Sequence, residues 1–430
     1  MTEKDYRLET LAVHAGQVPD PTTSARAVPV YRTTAYQFRN SEHGANLFAL
    51  KELGNIYARL MNPTNDILEK RIAALERGAA GLSLSSGTSA VYFSITNILK
   101  AGDELVSAVN LYGGTYTMFD AILPQSNNIT VRFVKVNDAD ATEAAINSKT
   151  RAIFIETIGN PVLDVADIEL YAKIAQKHRL PLLVDSTFST PILQRPIEDG
   201  ADVVIHSLSK WIGGHGTGIG GIIVDAGRFD WKDPKFDLYN LPDRGYHGLR
   251  FGHDLGPLSP IAFALRLRTV GLRNQGPTLS PDAAWIFLQG VESLHLRMAR
   301  HSENALKVAQ YLQKHPKVAW LRYPGLPEDP SYNLAKRYLP NGAGGMVVFG
   351  TKGGRESAIK LVDNIKLFSL LANVGDAKSL IIHSASTTHS QLSKDAQNEG
   401  GFGDDLIRLS IGIEHIDDIL EALEDALKLA

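Results

Sequence analysis

A lysine and two serines follow an apolar run in HSLSKWIGGHGTGIGG, residues 206–221, and the lysine is the first candidate for chemistry. Lys210 could grip a phosphate, lie beside a dinucleotide-binding loop, carry a surface charge or bond covalently to a cofactor. The spacing Gly216-x-Gly218-x-x-Gly221 matches the dinucleotide fingerprint, but a strand pattern follows where that fingerprint requires a helix. A P-loop is excluded because no Gly-Lys-Ser/Thr ends the glycine run. Against a surface charge, Lys210 lies just past a buried strand pattern, beside small residues and backbone that can approach a flat ligand closely. The covalent role requires further residues.

A lysine that holds pyridoxal 5′-phosphate (PLP) as a Schiff base needs an acid for the pyridinium nitrogen, a phosphate cradle, an aromatic plate and a cation for the substrate carboxylate. Asp185 ends the apolar run LLVD, where it could keep the pyridinium protonated or simply cap a turn. In SSGTSA, the residues Ser86, Gly87 and Thr88 start a predicted helix. Its free amides could bind a phosphate, although N-capping by the serine explains the pattern equally well.

Four further side chains complete the candidate set. Ser207 and Ser209 could donate hydroxyls to one phosphate, since alternate residues of an extended segment point the same way. Tyr112 precedes two glycines in NLYGGTY that leave room for a cofactor, while core packing is the commoner role of a single tyrosine. Arg408 lies in the apolar pattern LIRLSIG, where a guanidinium is costly unless a carboxylate ligand or a buried acid is near. Together these residues favour a pyridoxal enzyme.

The elements that must position these residues follow an α/β pattern. Apolar runs alternate with helical patterns, and several runs are apolar throughout, as in strands covered by helices on both faces. Ligands of such sheets bind at the carboxyl ends of the strands. The candidate residues that fall there are Asn160, Asp185, Ser207, Ser209 and Lys210. The helix in NPTNDILEKRIAALERG is predicted to be capped by Asn62 or Thr64 and to end at Gly78.

The 430 residues exceed what one hydrophobic core usually supports, so two domains are expected. Residues 1–60 lack a long periodic segment and are predicted to form an extended arm on a neighbouring subunit. A cofactor-binding α/β domain is predicted over 61–280, with an ordered insertion at 225–256. A smaller C-terminal α/β domain over 281–430 follows, and it begins with one long helical stretch, PDAAWIFLQGVESLHLRMARHSENALKVAQYLQKH.

Composition excludes several classes of protein. A net charge of −3 without a long basic run gives no footprint for nucleic acid. No apolar run reaches the roughly 18 residues of a membrane span, and MTEKDYRLET lacks the apolar core of a secretion signal. The chain has 0 cysteines, which excludes disulfides, thiolate zinc sites and a cysteine nucleophile. A cytoplasmic enzyme without a metal is therefore expected.

The whole chain resembles the Cys/Met-metabolism family of PLP-dependent enzymes, which contains cystathionine synthases and lyases, methionine γ-lyase and O-acetylhomoserine sulfhydrylase. The stretches that carry the resemblance are YARLMNPT, SSGTSA, LYGGTY, ETIGNP, VDSTFSTP, GADVVIHSLSKWIGGHGT and LIRLSIGIE, in family order and nearly family spacing. The resemblance implies the fold type I of PLP-dependent transferases. In that fold a mostly parallel central sheet flanked by helices is joined to a smaller C-terminal α/β domain.

The resemblance also implies a role for each matching residue. Lys210 would bond to the cofactor and later shuttle protons, Asp185 would pair with the pyridinium nitrogen, and Tyr112 would stack on the ring and assist catalysis. The implied phosphate ligands are Gly87, Thr88, Ser207, Ser209 and, from a neighbouring subunit, Tyr57 and Arg59. The implied substrate ligands are Arg408 on the α-carboxylate, Asn373, Tyr57 and Asn160, which would also lie near the ring 3-hydroxyl.

Three features resemble the sulfhydrylase branch, namely WIGGHGTGIGGIIVD, the insertion at 225–256, and LANVGDAKSLIIHSASTTH with Asn373. The implied reaction is γ-replacement, in which O-acetyl-L-homoserine and sulfide give L-homocysteine and acetate. A cystathionine γ-synthase, or a methionine or cystathionine γ-lyase, is the alternative on the same scaffold. An NAD-binding oxidoreductase and a non-catalytic binding protein are alternatives from other classes. A homotetramer of two active dimers, acting on small-molecule substrates, is also implied.

Overall fold

Two β-sheets organise the part of the chain that the computed structural model describes, residues 6–387 and 403–430. The strands are β1 Ala80–Leu84, β2 Glu104–Ala108, β3 Thr130–Val134, β4 Thr150–Glu156, β5 Leu182–Asp185, β6 Val203–Ser207, β7 Gly221–Asp225, β8 Val318–Arg322, β9 Met346–Thr351, β10 Ser369–Leu370, β11 Leu380–His383 and β12 Ile407–Ser410. The first seven strands form one sheet and the last five form the other.

Helices cover both sheets. The α-helices are α1 Leu8–His14, α2 Ser41–Phe48, α3 Pro63–Glu76, α4 Gly87–Thr96, α5 Gly113–Thr117, α6 Ala139–Ala145, α7 Ile168–His178, α8 Thr190–Leu193, α9 Pro196–Asp199, α10 Asp237–Asn240, α11 Ala262–Arg266, α12 Arg273–Gln275, α13 Pro281–Glu292, α14 Leu294–Lys314, α15 Tyr332–Tyr338, α16 Gly354–Asn364 and α17 Ile416–Leu429. The π-helical segments are Met118–Asn127 and Leu267–Leu272, and the 3₁₀ segments are Gly256–Ile261 and Ser384–Ser386. No helix in the described ranges has the length and apolar character that crossing a membrane requires.

The larger sheet is mostly parallel, as predicted. Its strand order is β1-β7-β6-β5-β4-β2-β3, and only β7 runs antiparallel to its neighbours, β1 and β6. Both faces are buried, because Leu182 and Val184 of β5 join one hydrophobic cluster while Leu183 joins the other. This alternation explains the continuous apolar runs, since helices on both faces leave no side of the strand in water.

Three parallel strands end together in polar residues. Glu156, Asp185 and Ser207 are the last residues of β4, β5 and β6. Glu156 is the register partner of Asp185, and Asp185 is the register partner of Ile205. The carboxyl ends of these neighbouring strands therefore form one polar edge, which is where ligands bind in open α/β sheets.

The smaller sheet is mixed. Its order is β10-β11-β12-β9-β8, and β10 pairs in parallel with β11 while the other pairs are antiparallel. Its core packs against α14, α16 and α17. The long helical stretch predicted before this sheet is present as two helices, with Ser293 between α13 and α14. Close to this break α13 approaches the turn after Lys210, because a Cβ on Gly290 would lie 2.5 Å from the carbonyl oxygen of Ile212.

The first segment of the chain is more structured than expected. Helix α1 packs on α3, α13 and α14 of the same chain, and Arg71 of α3 donates to the carbonyl of Ala15 at 3.0 Å. Asn62 caps α3 by accepting from the amide of Thr64 at 2.9 Å, so the cap is Asn62 rather than Thr64. The helix ends at Glu76 before Gly78, because Arg77 takes a left-handed conformation with φ 58°. Contact of this segment with a neighbouring subunit stays a prediction.

The predicted insertion is ordered by aromatic packing. Asp225 still belongs to β7, and α10 lies within the segment that follows. Trp231 stacks on Tyr239 with ring centroids 4.3 Å apart, and both rings are buried. Phe236 and Phe251 join the same cluster, which covers one face of the larger sheet.

Candidate active site

A cavity of about 400 Å³ opens at the polar edge of the larger sheet. Its volume lies in the range of small-molecule sites. The sequence-predicted residues that line it are Gly87, Thr88, Tyr112, Asn160, Asp185, Ser207, Ser209, Lys210, Asn373 and Arg408. Tyr57 and Arg59 are absent from the lining described for this chain. Residues from both sheets thus meet around one space.

Lys210 lies in the turn after β6, with its amine in the cavity. Its Nζ donates to Oδ1 of Asn373 at 2.6 Å. Burial, together with the nearby charge of Arg408, lowers the pKa of Lys210 from 10.5 to about 8. A lysine with this pKa supplies neutral amine near neutral pH, which is the form that acts as a nucleophile or base.

The turn that carries Lys210 is held by an arginine that the sequence reasoning missed. Arg297 of α14 is buried and donates to the carbonyls of Trp211 at 2.6 Å and Ile212 at 3.0 Å. It also donates to the carbonyl of Gly290 at 2.6 Å. A helix that belongs to the smaller sheet's packing therefore fixes the segment directly after the lysine.

The N-terminus of α4 forms one wall of the cavity. The Oγ of Ser86 accepts from the amide of Ser89 at 3.0 Å, so the serine is indeed the N-cap. Gly87 and Thr88 occupy the first turn, where amides lack partners within the helix and can bind an anion. A Cβ on Gly87 would lie 2.6 Å from Cβ of Ser207, so this wall accepts only glycine without rearrangement. N-capping and a phosphate cradle are compatible here.

Ser207 and Ser209 line the cavity, but the reason given for their pairing is wrong. Strand β6 ends at Ser207, and Ser209 lies in the following turn rather than on the same extended segment. The Oγ of Ser209 accepts from the amide of Gly220 at 3.0 Å, which ties this turn to the segment before β7. Turn geometry, and not strand alternation, brings the second hydroxyl to the site.

Asp185 stabilises a turn and also lines the cavity, while its pairing with a pyridinium nitrogen stays a prediction. Its Oδ1 accepts from the amide of Thr187 at 2.9 Å, which stabilises the turn after β5. Burial raises the pKa of Asp185, although the hydrogen bonds from Thr187 and the proximity of His206 oppose that rise. A cationic ring nitrogen beside the carboxylate would offset the cost of burying its charge.

A second acid, Glu156, lies beside Asp185 and was also missed. Its Oε1 accepts from the amide of Tyr112 at 2.7 Å. Burial, and secondly the neighbouring Asp185, raises the pKa of Glu156 well above its usual value. Its position at the end of the strand pattern in ETIGNP was the available signal.

Tyr112 does not pack in the core. Its side chain is 51% exposed and faces the cavity that it lines. The following glycine pair serves this ring directly, because a Cβ on Gly114 would lie 2.5 Å from Cε1 of Tyr112. The ring is therefore free to lie against a flat ligand.

Arg408 brings a positive charge from β12 to the cavity. It is 5% exposed, and its Nη1 donates to Oδ1 of Asn160 at 3.3 Å. Burial lowers the pKa of Arg408 to about 10. Within residues 6–387 and 403–430 this guanidinium has no carboxylate partner, which leaves it suited to a carboxylate ligand.

Two predictions fall outside this geometry. Tyr57 and Arg59 lie together on the surface, with the guanidinium carbon of Arg59 5.2 Å from the ring centroid of Tyr57. Their role at a neighbouring subunit's phosphate stays a prediction. Thr388 and His389, at the end of the stretch that resembles the sulfhydrylase branch, lie outside the described residues.

The residues present fit PLP. One cavity is surrounded by a lysine with a lowered pKa, an acid, an exposed aromatic ring, a helix N-terminus closed to any residue but glycine, and a buried guanidinium. These are the groups that a Schiff-base cofactor with a phosphate and an amino-acid substrate require. The cavity thus has the chemistry expected from the motifs.

Known proteins are similar in sequence to this chain over almost its whole length. The family described as Cys/Met metabolism PLP-dependent enzyme matches residues 9–428. An O-acetyl-L-homoserine sulfhydrylase of Leptospira meyeri is 52% identical, with 99% of this chain and 97% of the relative covered. A homocysteine synthase of Schizosaccharomyces pombe is 51% identical, with 100% of both chains covered.

A solved structure agrees with these relatives. A crystal structure described as an O-acetylhomoserine (thiol)-lyase from Campylobacter jejuni superposes with a TM-score of 0.95 at 40% identity. The superposition covers 98% of this chain and 100% of the other, which carries N′-pyridoxyl-lysine-5′-monophosphate. These matches confirm the resemblance seen in the motifs, and the chain belongs to the Cys/Met-metabolism family of PLP-dependent enzymes.

Proposed function

We propose that this chain catalyses γ-replacement with PLP as its cofactor, converting O-acetyl-L-homoserine and sulfide to L-homocysteine and acetate. The observation that carries the proposal is one cavity that joins the amine of Lys210 to the guanidinium of Arg408, which has no acidic partner among the described residues. The names of relatives that are about half identical over their full length supply the substrate. The reaction makes the chain a transferase of the aminocarboxypropyl group.

When bound, PLP supplies an electron-accepting ring that stabilises negative charge on the substrate carbons near the amino group. Each part of the cofactor is assigned to residues that line the cavity. The residues that would hold it are Lys210 at the aldehyde, Asp185 at the ring nitrogen, Asn160 near the 3-hydroxyl, Tyr112 against the ring, and Gly87, Thr88, Ser207 and Ser209 at the phosphate.

Lys210 is suited to move the α-proton of the substrate. Its pKa of about 8 leaves a usable fraction of neutral amine at neutral pH. The neutral Nζ takes the proton from Cα, and the ammonium form returns a proton in a later step. Asn373 accepts from Nζ and so holds the amine on the cavity side.

Arg408 orients the substrate by binding its α-carboxylate. Binding of the carboxylate would point the Cα–H bond toward Nζ of Lys210 and leave the rest of the cavity for the γ-carbon. The Cγ–O bond breaks with its electron pair leaving on acetate, and a Cγ–S bond forms from hydrosulfide. Hydrosulfide keeps its proton as the thiol of homocysteine and its negative charge leaves on acetate, so charge and atoms balance.

The direct test incubates the purified holoenzyme with O-acetyl-L-homoserine, with and without sulfide. The proposal expects homocysteine and acetate in the presence of sulfide. Accumulation of 2-oxobutanoate and ammonia as the main products would instead identify a γ-lyase, and cystathionine formed from added cysteine would identify a synthase. Lys210→Ala is expected to remove turnover and the visible absorbance of the lysine–cofactor bond, and turnover in that variant would refute the mechanism.

We further propose that the active site is completed in a dimer, with two dimers forming a tetramer. The support is that Tyr57 and Arg59 are exposed and lie outside the cavity of their own chain. Mixing Arg59→Ala with Lys210→Ala protein should restore activity, because one mixed dimer then holds one intact site. Recovery that never exceeds the sum of the two variants would contradict shared sites.

The proposed division of the chain is an arm over 1–60, a cofactor-binding domain over 61–280 and a C-terminal domain over 281–430. The separation of the two sheets supports the last boundary, because the larger ends at Asp225 and the smaller begins at Val318. A location in the cytoplasm stays a prediction.

A further inference from the structure

Glu156 is a cavity residue to which no motif assigned a role. It ends β4, is 9% exposed, and lines the cavity with Asp185 and Tyr112. In the sheet order, β4 lies between β5, which carries Asp185, and β2, whose following loop carries Tyr112. The side chain therefore stands between two residues proposed to grip the cofactor ring.

The contact with Tyr112 is made through the main chain. Oε1 of Glu156 accepts from the amide of Tyr112 at 2.7 Å. Tyr112 is the residue from which α5 starts, and its carbonyl accepts from the amide of Tyr116 at 2.9 Å. Fixing this amide fixes the first residue of the helix, and so the point from which the exposed ring extends into the cavity.

The surroundings of Glu156 disfavour a charged carboxylate. In the part of the chain that the structure describes, no lysine, arginine or histidine lies within ion-pair distance of it. Its register partner is Asp185, and register partners on adjacent strands about 4.8 Å apart extend from the same face. Two such carboxylates do not both ionise readily, and burial together with Asp185 raises the pKa of Glu156.

We propose that Glu156 is a positioning residue that acts as an uncharged hydrogen-bond acceptor for the main chain of Tyr112. It thereby sets the ring of Tyr112 against the cofactor and leaves Asp185 to carry the negative charge at this edge. The placement of the Tyr112 ring against the cofactor rests on the proposed function. The hydrogen bond from the Tyr112 amide and the uncharged state of Glu156 are independent of that function.

The test compares Glu156→Gln with Glu156→Leu. Glutamine keeps a neutral carbonyl acceptor of the same length, while leucine fills the space without an acceptor. In the cofactor-free protein, hydrogen–deuterium exchange at the Tyr112 amide should stay slow in E156Q and accelerate about tenfold or more in E156L, because an amide loses a hydrogen bond of ordinary strength. The affinity of the cofactor-free protein for PLP should fall by a similar factor in E156L and stay within about threefold in E156Q.

Asp225→Asn is the matched control, since Asp225 is another buried acid at a strand end but lies outside the cavity. This control should change neither the exchange of the Tyr112 amide nor the affinity for PLP. If E156Q loses as much as E156L, the carboxylate is charged and the proposal is overturned. Unchanged exchange in both variants would overturn the positioning role.

Two further outcomes separate the inference from the proposed function. If E156L is insoluble, the PLP affinity of E156Q alone tests the proposal. A charged Glu156 would lose more than about tenfold in PLP affinity when glutamine replaces it, whereas an uncharged Glu156 would not. If wild-type protein makes no homocysteine, the proposed function fails. The amide exchange of the cofactor-free variants still tests the role of Glu156 in that case.

Discussion

Replacing Arg408 by methionine should make the cofactor-free protein more stable while it damages substrate binding. Burial lowers the pKa of Arg408 from 12.5 to about 10, and at ~1.4 kcal/mol per pKa unit the charged guanidinium costs about 3 kcal/mol. The hydrogen bond to Asn160, at 3.3 Å, returns about 1 kcal/mol. Methionine keeps an apolar stem in the strand, so a net gain of about 2 kcal/mol is expected.

For a chain of 430 residues this gain corresponds to a rise in Tm of about 2 °C, measured on cofactor-free protein by scanning calorimetry. In the holoenzyme, loss of the carboxylate contact should lower kcat/KM for O-acetyl-L-homoserine about 30- to 150-fold, equivalent to about 2–3 kcal/mol. Arg408→Lys keeps the charge and should show no gain in Tm.

Arg297 is the matched control, because burial lowers its pKa to about 10 as well. Its guanidinium donates to three carbonyls and to the Oγ of Ser293, and each bond from a charged donor is worth about 1.5–3 kcal/mol. Arg297→Met should therefore lower Tm, opposite in sign to Arg408→Met. A lower Tm for both variants, or an unchanged kcat/KM for Arg408→Met, would refute the reasoning.

Three other perturbations test separate parts of the structure. Burial raises the pKa of Asp225 to about 7, above its unfolded value of 3.8, so stability is lost as pH rises through about 7. Tm should therefore fall less between pH 5 and 8 in Asp225→Asn than in wild type. Equal dependence of Tm on pH in the two proteins would contradict this. Gly87→Ala should weaken PLP binding by about tenfold or more in a titration of cofactor-free protein, because its Cβ would lie 2.6 Å from the Cβ of Ser207. Unchanged affinity would contradict this, since it would show that the backbone at this wall moves to accept the methyl group. The rate at which PLP bonds to Lys210, followed by visible absorbance, should rise with pH through a midpoint at about 8 and level above it. The midpoint should move upward in Arg408→Met, because the charge of Arg408 lowers the lysine pKa, and an unmoved midpoint would be the contrary result.

The sequence predicted those helices and strands whose own residues carry the pattern. The helical pattern of IELYAKIAQKH coincides with α7. Apolar runs mark β2 and β4 to β7, because strands buried on both faces are apolar almost throughout. β1 was missed, since AGLSL has few residues that favour strands; its conformation comes from antiparallel pairing with β7.

The same distinction holds for the site. Asp185, Lys210 and Arg408 stand out in sequence because each is a charge beside an apolar run. Arg297 does not stand out, since its partner Trp211 is 86 residues away and the contact exists only after α14 packs on the turn. Glu156 was visible as an acid at a strand end, but its significance depends on a neighbouring strand and loop.

The grip of Arg297 on the turn after Lys210 has a mechanical consequence. The helix that holds this turn packs with the smaller sheet, and that sheet also carries Arg408. A substitution in α14 that shifts this packing should therefore change the distance between Lys210 and Arg408. The size of the amino acids that the protein accepts would then change without any substitution in the lining of the cavity.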